Sequence, residues 1–203
     1  MKQKLLFRIG LKVLKVTVFS FMLLFFLQSL NAQAIMTNQI IKVGEGSNNQ
    51  SSTQTVNSNK RQPFQLKLLI DDSKFFALPV NETDYVINDT ILYIFPGEKL
   101  FVESTLINNR VTKLQVVNEI KDPSKTFVID FQQKTNGKVH QMMSLTISNP
   151  YNKQLRYKAM MNLLQTNKWV NTSVYPVLPN IQAIEMWQAP ITMLALGSFE
   201  LKD

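Results

Sequence analysis

The chain contains no cysteine, one histidine and six glycines, and each scarcity removes a class of chemistry. Without cysteine there is no disulfide framework, no thiolate metal site, no Cys nucleophile and no iron–sulfur cluster. One imidazole cannot supply the paired histidines of a His-x-x-x-His zinc site. With so few glycines neither a GxGxxG nor a GxxxxGK[ST] phosphate loop can be assembled, and neither is present. A GxSxG nucleophile elbow is also missing.

Acidic residues are outnumbered, 14 against 22 basic, which gives a net charge of +8. Five of the basic residues, Lys2, Lys4, Arg8, Lys12 and Lys15, lie in residues 1–34, which hold no acid. The remainder therefore carries 17 basic and 14 acidic residues, too small an excess to argue for a polyanionic partner. No nucleic-acid partner is expected.

That basic start precedes an apolar run ending in Gln28-Ser29-Leu30-Asn31-Ala32-Gln33-Ala34. A positive region, a hydrophobic region and small residues of A-x-A type have the layout of a secretory signal. Ala32 and Ala34 fit the −3 and −1 positions, so cleavage is expected after Ala34, with Ala32 as the alternative. The competing reading is an uncleaved anchor, because residues 13–30 approach the length of a membrane helix. Positive charge ahead of the run favours export of the downstream chain in either case. The expectation is a periplasmic or secreted bacterial protein, membrane-anchored if the signal stays, with no stable span after its removal. No later apolar run is long enough to cross a bilayer as a helix.

Residues 35–62 read as a polar flexible lead. From 44 to 62 the sequence is dominated by Ser, Asn, Gln, Thr and Gly, with Val56 its one sizeable apolar residue, so burial cannot offset the entropy of ordering it. Within the lead, residues 40–43, Ile-Ile-Lys-Val, have the composition of a strand. A single domain of sandwich size is expected over 63–203.

That domain reads as all-β. Period-two alternation with β-branched and aromatic residues marks strands at 64–70, 84–87, 91–95, 100–107, 113–120, 126–132, 139–148, 155–164, 169–175, 184–187 and 193–202. Turn signals separate them: Pro96-Gly97-Glu98, Asn108-Asn109, Asp122-Pro123-Ser124, Asn136-Gly137, Asn149-Pro150 and Leu178-Pro179-Asn180. Phe127, Ile129 and Phe131 share one face, and Leu155, Tyr157, Ala159, Met161 and Leu163 another, with Arg156, Lys158 and Asn162 opposite. One wet face per strand favours an antiparallel sheet. A helix over 155–165 is the competing reading, since Leu, Lys, Ala, Met and Gln form helices well.

The turn at Asn136-Gly137 sets a register. A loop of Thr135-Asn136-Gly137 would place Ile129 opposite Met143, Phe127 opposite Leu145 and His140 beside Gln132, bringing the apolar faces together.

Pro96-Gly97-Glu98-Lys99-Leu100 before an alternating strand resembles the start of a second strand in immunoglobulin-like modules. Leu145-Thr146-Ile147-Ser148-Asn149-Pro150, leading to Leu155-Arg156-Tyr157, resembles their paired later strands. The resemblance covers residues 84–165 and implies an antiparallel immunoglobulin-like or fibronectin-type β-sandwich in a secreted bacterial protein. A Cys…Trp…Cys core is lacking, so antibody-type domains are excluded.

Candidate chemistry is sparse. His140 is the one neutral-pH base, but Ser144, four residues along the same strand, would be about 13 Å away. Asp71-Asp72 and the group Glu82, Asp84 and Asp89 read as loop carboxylates forming Asx turns, with weak calcium binding in the 81–89 loop as the alternative. Arg156, Lys158 and Lys153 read as a solvated strand face. Asn81, Asn88 and Asn171 match a glycosylation pattern but are read as unmodified. Trp169, Tyr175 and Trp187 are expected mostly in the core, with stacking on a sugar or protein partner as the alternative. No catalytic, cofactor-binding or metal residue is assigned. The expectation is a non-catalytic binding or structural module of the cell envelope, its partner another envelope protein. The alternatives are a periplasmic assembly or chaperone-like factor acting through a sheet edge, and a carboxylate-based hydrolase.

Overall fold

A computed structural model describes residues 60–203; the signal with Ala32 and Ala34, and the lead up to residue 59, lie outside the described residues. The described residues are all-β and antiparallel. A short strand β1 (Lys60–Arg61) is followed by a hairpin of β2 (Phe64–Asp71) and β3 (Lys74–Val80). Then come β4 (Thr83–Asp84), β5 (Val86–Ile87), β6 (Ile91–Ile94), β7 (Glu98–Ile107) and β8 (Arg110–Val117). The second half holds β9 (Thr126–Asn136), β10 (Val139–Ser148), β11 (Gln154–Leu163), β12 (Lys168–Thr172), β13 (Gln182–Trp187) and β14 (Ile191–Lys202).

The main sheet runs β12-β11-β14-β8-β7-β9-β10-β13, with β6 on β14 and β5 on β6. Its middle link is slight: β14 meets β8 at the single pair Glu200↔Arg110. The sheet therefore divides at this pair into two leaves. Phe199 of β14 stacks on Phe127 of β9 at 5.6 Å and on Tyr157 of β11 at 5.7 Å. Around these rings Ile129, Phe131, Met143, Leu145, Leu155, Leu194, Leu196 and Leu92 are fully buried. Burying side chains of this size contributes roughly 1.5–3 kcal/mol each.

Turn chemistry follows the sequence. Asn108 and Asn109 both take left-handed φ, 51° and 63°, between the paired residues Ile107 and Arg110. That is the type I′ geometry matched to the twist of a hairpin, and Asn tolerates it better than most side chains. Residues 155–163 form a strand, not a helix.

Four expectations are corrected. First, β3 was not foreseen. Its sequence, KFFALPV, carries Pro79 and lacks clean alternation, and Pro is tolerated because β3 pairs on one side only, with β2.

Second, the β9–β10 register differs. Asn136 faces Val139 across a two-residue Gly137-Lys138 turn, with Gly137 at φ +60° in the first central position, as a type II′ turn requires. A bulge between His140 and Met142 then shifts the faces by one residue. Phe131 consequently lies opposite Leu145 and Ile129 opposite Ile147. Burial demanded only that the apolar faces coincide. The bulge satisfies that demand four residues away from the expected pairing.

Third, Asn162 is not exposed as Arg156 and Lys158 are. It is 1% exposed although it keeps their parity along β11, the extra residues of the β11–β14 register lying on β14. The Thr192 hydroxyl donates to its Oδ1 at 2.7 Å. Fourth, the folded unit begins before residue 63: Lys60 and Arg61 pair with Asp84 and Thr83.

Arg61 explains that boundary. It is 2% exposed and forms a two-point pair with Glu98, Nε to Oε1 at 2.5 Å and Nη2 to Oε2 at 3.0 Å. It also donates to Thr83 Oγ1 and to the Tyr93 carbonyl, each at 2.9 Å. Its guanidinium carbon lies 4.3 Å from the Tyr85 ring centre and 4.7 Å from that of Phe95. A planar guanidinium with all three nitrogens hydrogen-bonded, lying between two rings, is the arrangement in which a buried arginine is tolerated.

Candidate functional site

Strand β13 ends the main sheet. It pairs with β10 on one side, and among the described residues its other edge carries no ladder partner. The pairs Met143↔Trp187, Leu145↔Glu185 and Ile147↔Ala183 set Trp187, Glu185 and Ala183 on the core side, because Met143, Leu145 and Ile147 are buried. The alternate residues Ile184 and Met186, opposite Thr146 and Ser144, face outward and are 60% and 63% exposed.

Natural edge strands are protected by lysine, proline, bulges or inward charges. The sequence of β13, QAIEMW, has neither Lys nor Pro, and its pairing with β10 is continuous. Glu185 is an inward charge, but it is engaged: it accepts the Tyr175 backbone N–H at 2.6 Å. Tyr175 itself is 79% exposed, and Leu178 and Ile181 are also exposed. Five large apolar or aromatic side chains within residues 175–186 thus remain in water beside an open backbone edge. A single exposed apolar residue is ordinary, whereas a local group of them marks an interaction surface.

The core side of the edge is braced. The Trp187 indole N–H donates to Thr172 Oγ1 of β12 at 2.8 Å, so the two terminal strands of the sheet touch through side chains. Tyr157 lies deeper, its hydroxyl buried without a hydrogen-bond partner among the described residues. Burial, aided by the charge of Glu185, pushes the Tyr157 phenol well above its ordinary range.

The residues singled out in the sequence do not assemble into a reaction centre. His140 stands opposite Thr135, not beside Gln132. Its Nδ1 lies 2.8 Å from Gln133 Nε2 and its Nε2 2.8 Å from the Gln188 carbonyl. Gln133 accepts from Leu69 N through Oε1, which fixes its amide orientation. The amide nitrogen therefore donates to Nδ1, and the imidazole donates from Nε2. The two ring nitrogens thus tie β10 to Gln133 of β9 and to the segment after β13, while Gln133 itself holds Leu69 of β2. Ser144, paired with Gln132 and Met186, makes no contact with the imidazole.

Asp71 accepts from Ser73 N in an Asx turn and pairs with Lys74. Glu82 pairs with Lys60, and Asp84 stands opposite Lys60 in the β1–β4 ladder. Asp89 uses its carbonyl to accept Leu114 N. Among the described residues no three His, Asp or Glu side chains gather at one point that could hold a metal. Arg156 and Lys158 are exposed on β11, and Lys153 pairs with Asp203. The aromatic expectation needs correction. Tyr175 is exposed, and Trp169 and Trp187 are half-buried at the sheet's two ends rather than within its core.

The importance of Arg61 and of Ile184 and Met186 was not read from the sequence. For the edge a signal existed: Ile184-Glu185-Met186-Trp187 offers apolar residues on both faces, so no clean wet side is defined. Comparison with known protein families, with curated proteins and with solved structures found no match.

Proposed function

We propose that the chain is an exported, non-catalytic binding module of the bacterial cell envelope, and that it binds an extended segment of another envelope protein along the outer edge of β13. The observation that carries this reading is the combination on β13 of an open ladder edge with outward Ile184 and Met186 at 60% and 63% exposure. Strand addition draws affinity from main-chain hydrogen bonds and specificity from alternate side chains, and β13 offers both. The same edge used transiently would make the protein an assembly or chaperone-like factor, the second reading.

Several features support the wider proposal. The amino-terminal signal layout favours export. The two leaves joined by one pair, with Phe127 and Phe199 stacked between them, favour an immunoglobulin-like sandwich. The occupied imidazole of His140 supports a role without acid–base chemistry.

A photo-reactive amino acid in place of Met186, activated in the producing cell, tests the binding edge. The control position is Ile107, 58% exposed at the β7–β8 hairpin. A discrete protein adduct from position 186 and none from 107 is expected. Equal adducts from both positions, or none from 186, would remove the proposal.

A further inference from the structure

Resting on that strand-edge reading, we propose that the segment bound along β13 carries a lysine opposite Glu185, and that its ammonium pairs with this carboxylate beside the Tyr157 hydroxyl.

The strand sets the pattern its partner must match. Along β13 the edge presents Ile184, Glu185 and Met186 in succession, apolar outward, acidic on the core side, apolar outward. Directly opposed residues of an antiparallel pair share a face, with their β-carbons about 5 Å apart. A bound segment therefore meets β13 with one residue on the core side, next to Glu185, and with that residue's two neighbours over Ile184 and Met186. Apolar neighbours cover the exposed pair, and the residue between them faces a carboxylate. A shift of one residue would set the charged side chain against Ile184 or Met186 and an apolar one against Glu185. Charge and burial thus select the same register.

Glu185 is prepared for a cation. It is half-buried, and among the described residues no basic side chain pairs with it. The Tyr175 backbone N–H holds Oε1 at 2.6 Å, which fixes the carboxylate and leaves Oε2 free among the described residues. An acceptor held in place costs less to engage than a mobile one.

Tyr157 is the independent second observation. It comes from β11, its ring stacks on Phe199 at 5.7 Å, and it is 8% exposed, yet its hydroxyl has no partner. It lies close enough to Glu185 for that charge to act on the phenol. A free carboxylate oxygen and an unused hydroxyl on the core side of an open edge suit a positively charged hydrogen-bond donor. Lysine fits better than arginine. A guanidinium fork takes both oxygens of a carboxylate, and Oε1 is already engaged by Tyr175, whereas an ammonium is a point charge with separate donors. A calcium ion fits less well, because it takes about six to eight oxygen ligands, and among the described residues no three His, Asp or Glu gather at one point.

The test is a peptide titration of the exported chain, followed by proton–nitrogen correlation NMR. The probes are capped heptapeptides, Thr-Thr-Val-X-Val-Thr-Thr, with X as lysine, norleucine or glutamate. Norleucine keeps the apolar stem of lysine and removes the charge. The lysine peptide should shift the amides of Gln182–Trp187 and bind about tenfold more tightly than the norleucine peptide, with the glutamate peptide weakest. In Glu185→Gln the amide oxygen still accepts the Tyr175 N–H, so the lysine preference should vanish while norleucine affinity stays. Tyr157→Phe should weaken the lysine peptide about threefold and leave the norleucine peptide unchanged, a selective effect that loss of a purely structural hydroxyl would not give. Equal affinity of the lysine and norleucine peptides for wild type would overturn the inference. A lysine preference that survives Glu185→Gln, or shifts confined to residues outside β13, would overturn it too. Failure here is separable from failure of the binding role. Peptides that all bind at β13 without discrimination remove the lysine and leave the edge in use. No shift from any peptide also overturns the inference, and the adduct from position 186 then decides the edge by itself.

Discussion

The Trp187 indole N–H and the Thr172 hydroxyl meet at 2.8 Å, and this contact joins β13 to β12, the two ends of an otherwise open sheet path. It braces the core side of β13 while leaving the ladder edge unfilled. The apolar outward pair on β13 is therefore displayed on a strand held from behind.

Replacing Trp187 by Phe keeps most of the ring and removes the N–H. The expected loss is about 1 kcal/mol, the usual net worth of one hydrogen bond. Thr172→Val should cost a similar amount, and the double variant should lose little more than either single one. Urea unfolding of the four proteins measures the coupling. Full additivity would mean that the two side chains act independently.

Arg61→Ala should be far more damaging. It leaves the Glu98 carboxylate, 15% exposed, without its partner, and breaking a buried pair in this way costs roughly 3–5 kcal/mol. Arg61→Lys should recover only part of the loss, because an ammonium cannot make the two-point contact or lie flat between Tyr85 and Phe95. Chemical denaturation decides this. A lysine variant equal to wild type would mean that charge alone holds the site.

Alkaline stability is set by the tyrosines. Burial raises the phenols of Tyr157, Tyr93, Tyr85 and Tyr151 above their ordinary value. Above pH of about 10 the unfolded chain releases phenolic protons that the folded chain retains. The unfolded state then binds fewer protons, so stability falls as pH rises through this range. Tyr157→Phe should flatten the fall between pH 9 and 11. It should also gain about 1 kcal/mol at pH 7, because a buried hydroxyl without a partner is removed. Urea midpoints measured across that range test both effects, and identical slopes for the two proteins would contradict the account.

Gly137→Ala should cost about 1 kcal/mol. Gly137 sits at φ +60° with open space around its α-carbon, so the penalty comes from backbone conformation and not from a clash. Thermal unfolding reads it, and an unchanged midpoint would mean that the turn relaxes.

Much of the fold was legible because its signals are local. Phe127, Ile129 and Phe131 recur at period two, flanked by Thr126, Asp130 and Gln132, and are buried as that period requires. Asn108-Asn109 and Gly137 announce their turns. What escaped depends on long-range contacts. The burial of Arg61 is created by Glu98, Tyr85 and Phe95, and no pattern around Lys60-Arg61-Gln62 signals it. The bulge after His140 and the register slips around Asn162 are compromises between neighbouring strands, invisible within either strand alone. The exposure of Ile184 and Met186 follows from the place of β13 at the end of the sheet, and strand order is not written in any one segment.

The most direct test of the binding edge is an Ile184→Lys, Met186→Lys variant carrying the photo-reactive residue at position 182, also exposed on β13. Lysine on an edge strand blocks pairing without disturbing the core behind it. Relative to the same probe in the otherwise wild-type chain, the account predicts at least a tenfold loss of the partner adduct, with a thermal midpoint within about 4 °C of wild type, the shift expected for under 1 kcal/mol. Undiminished adduct from an equally stable variant would show that the partner does not bind along β13.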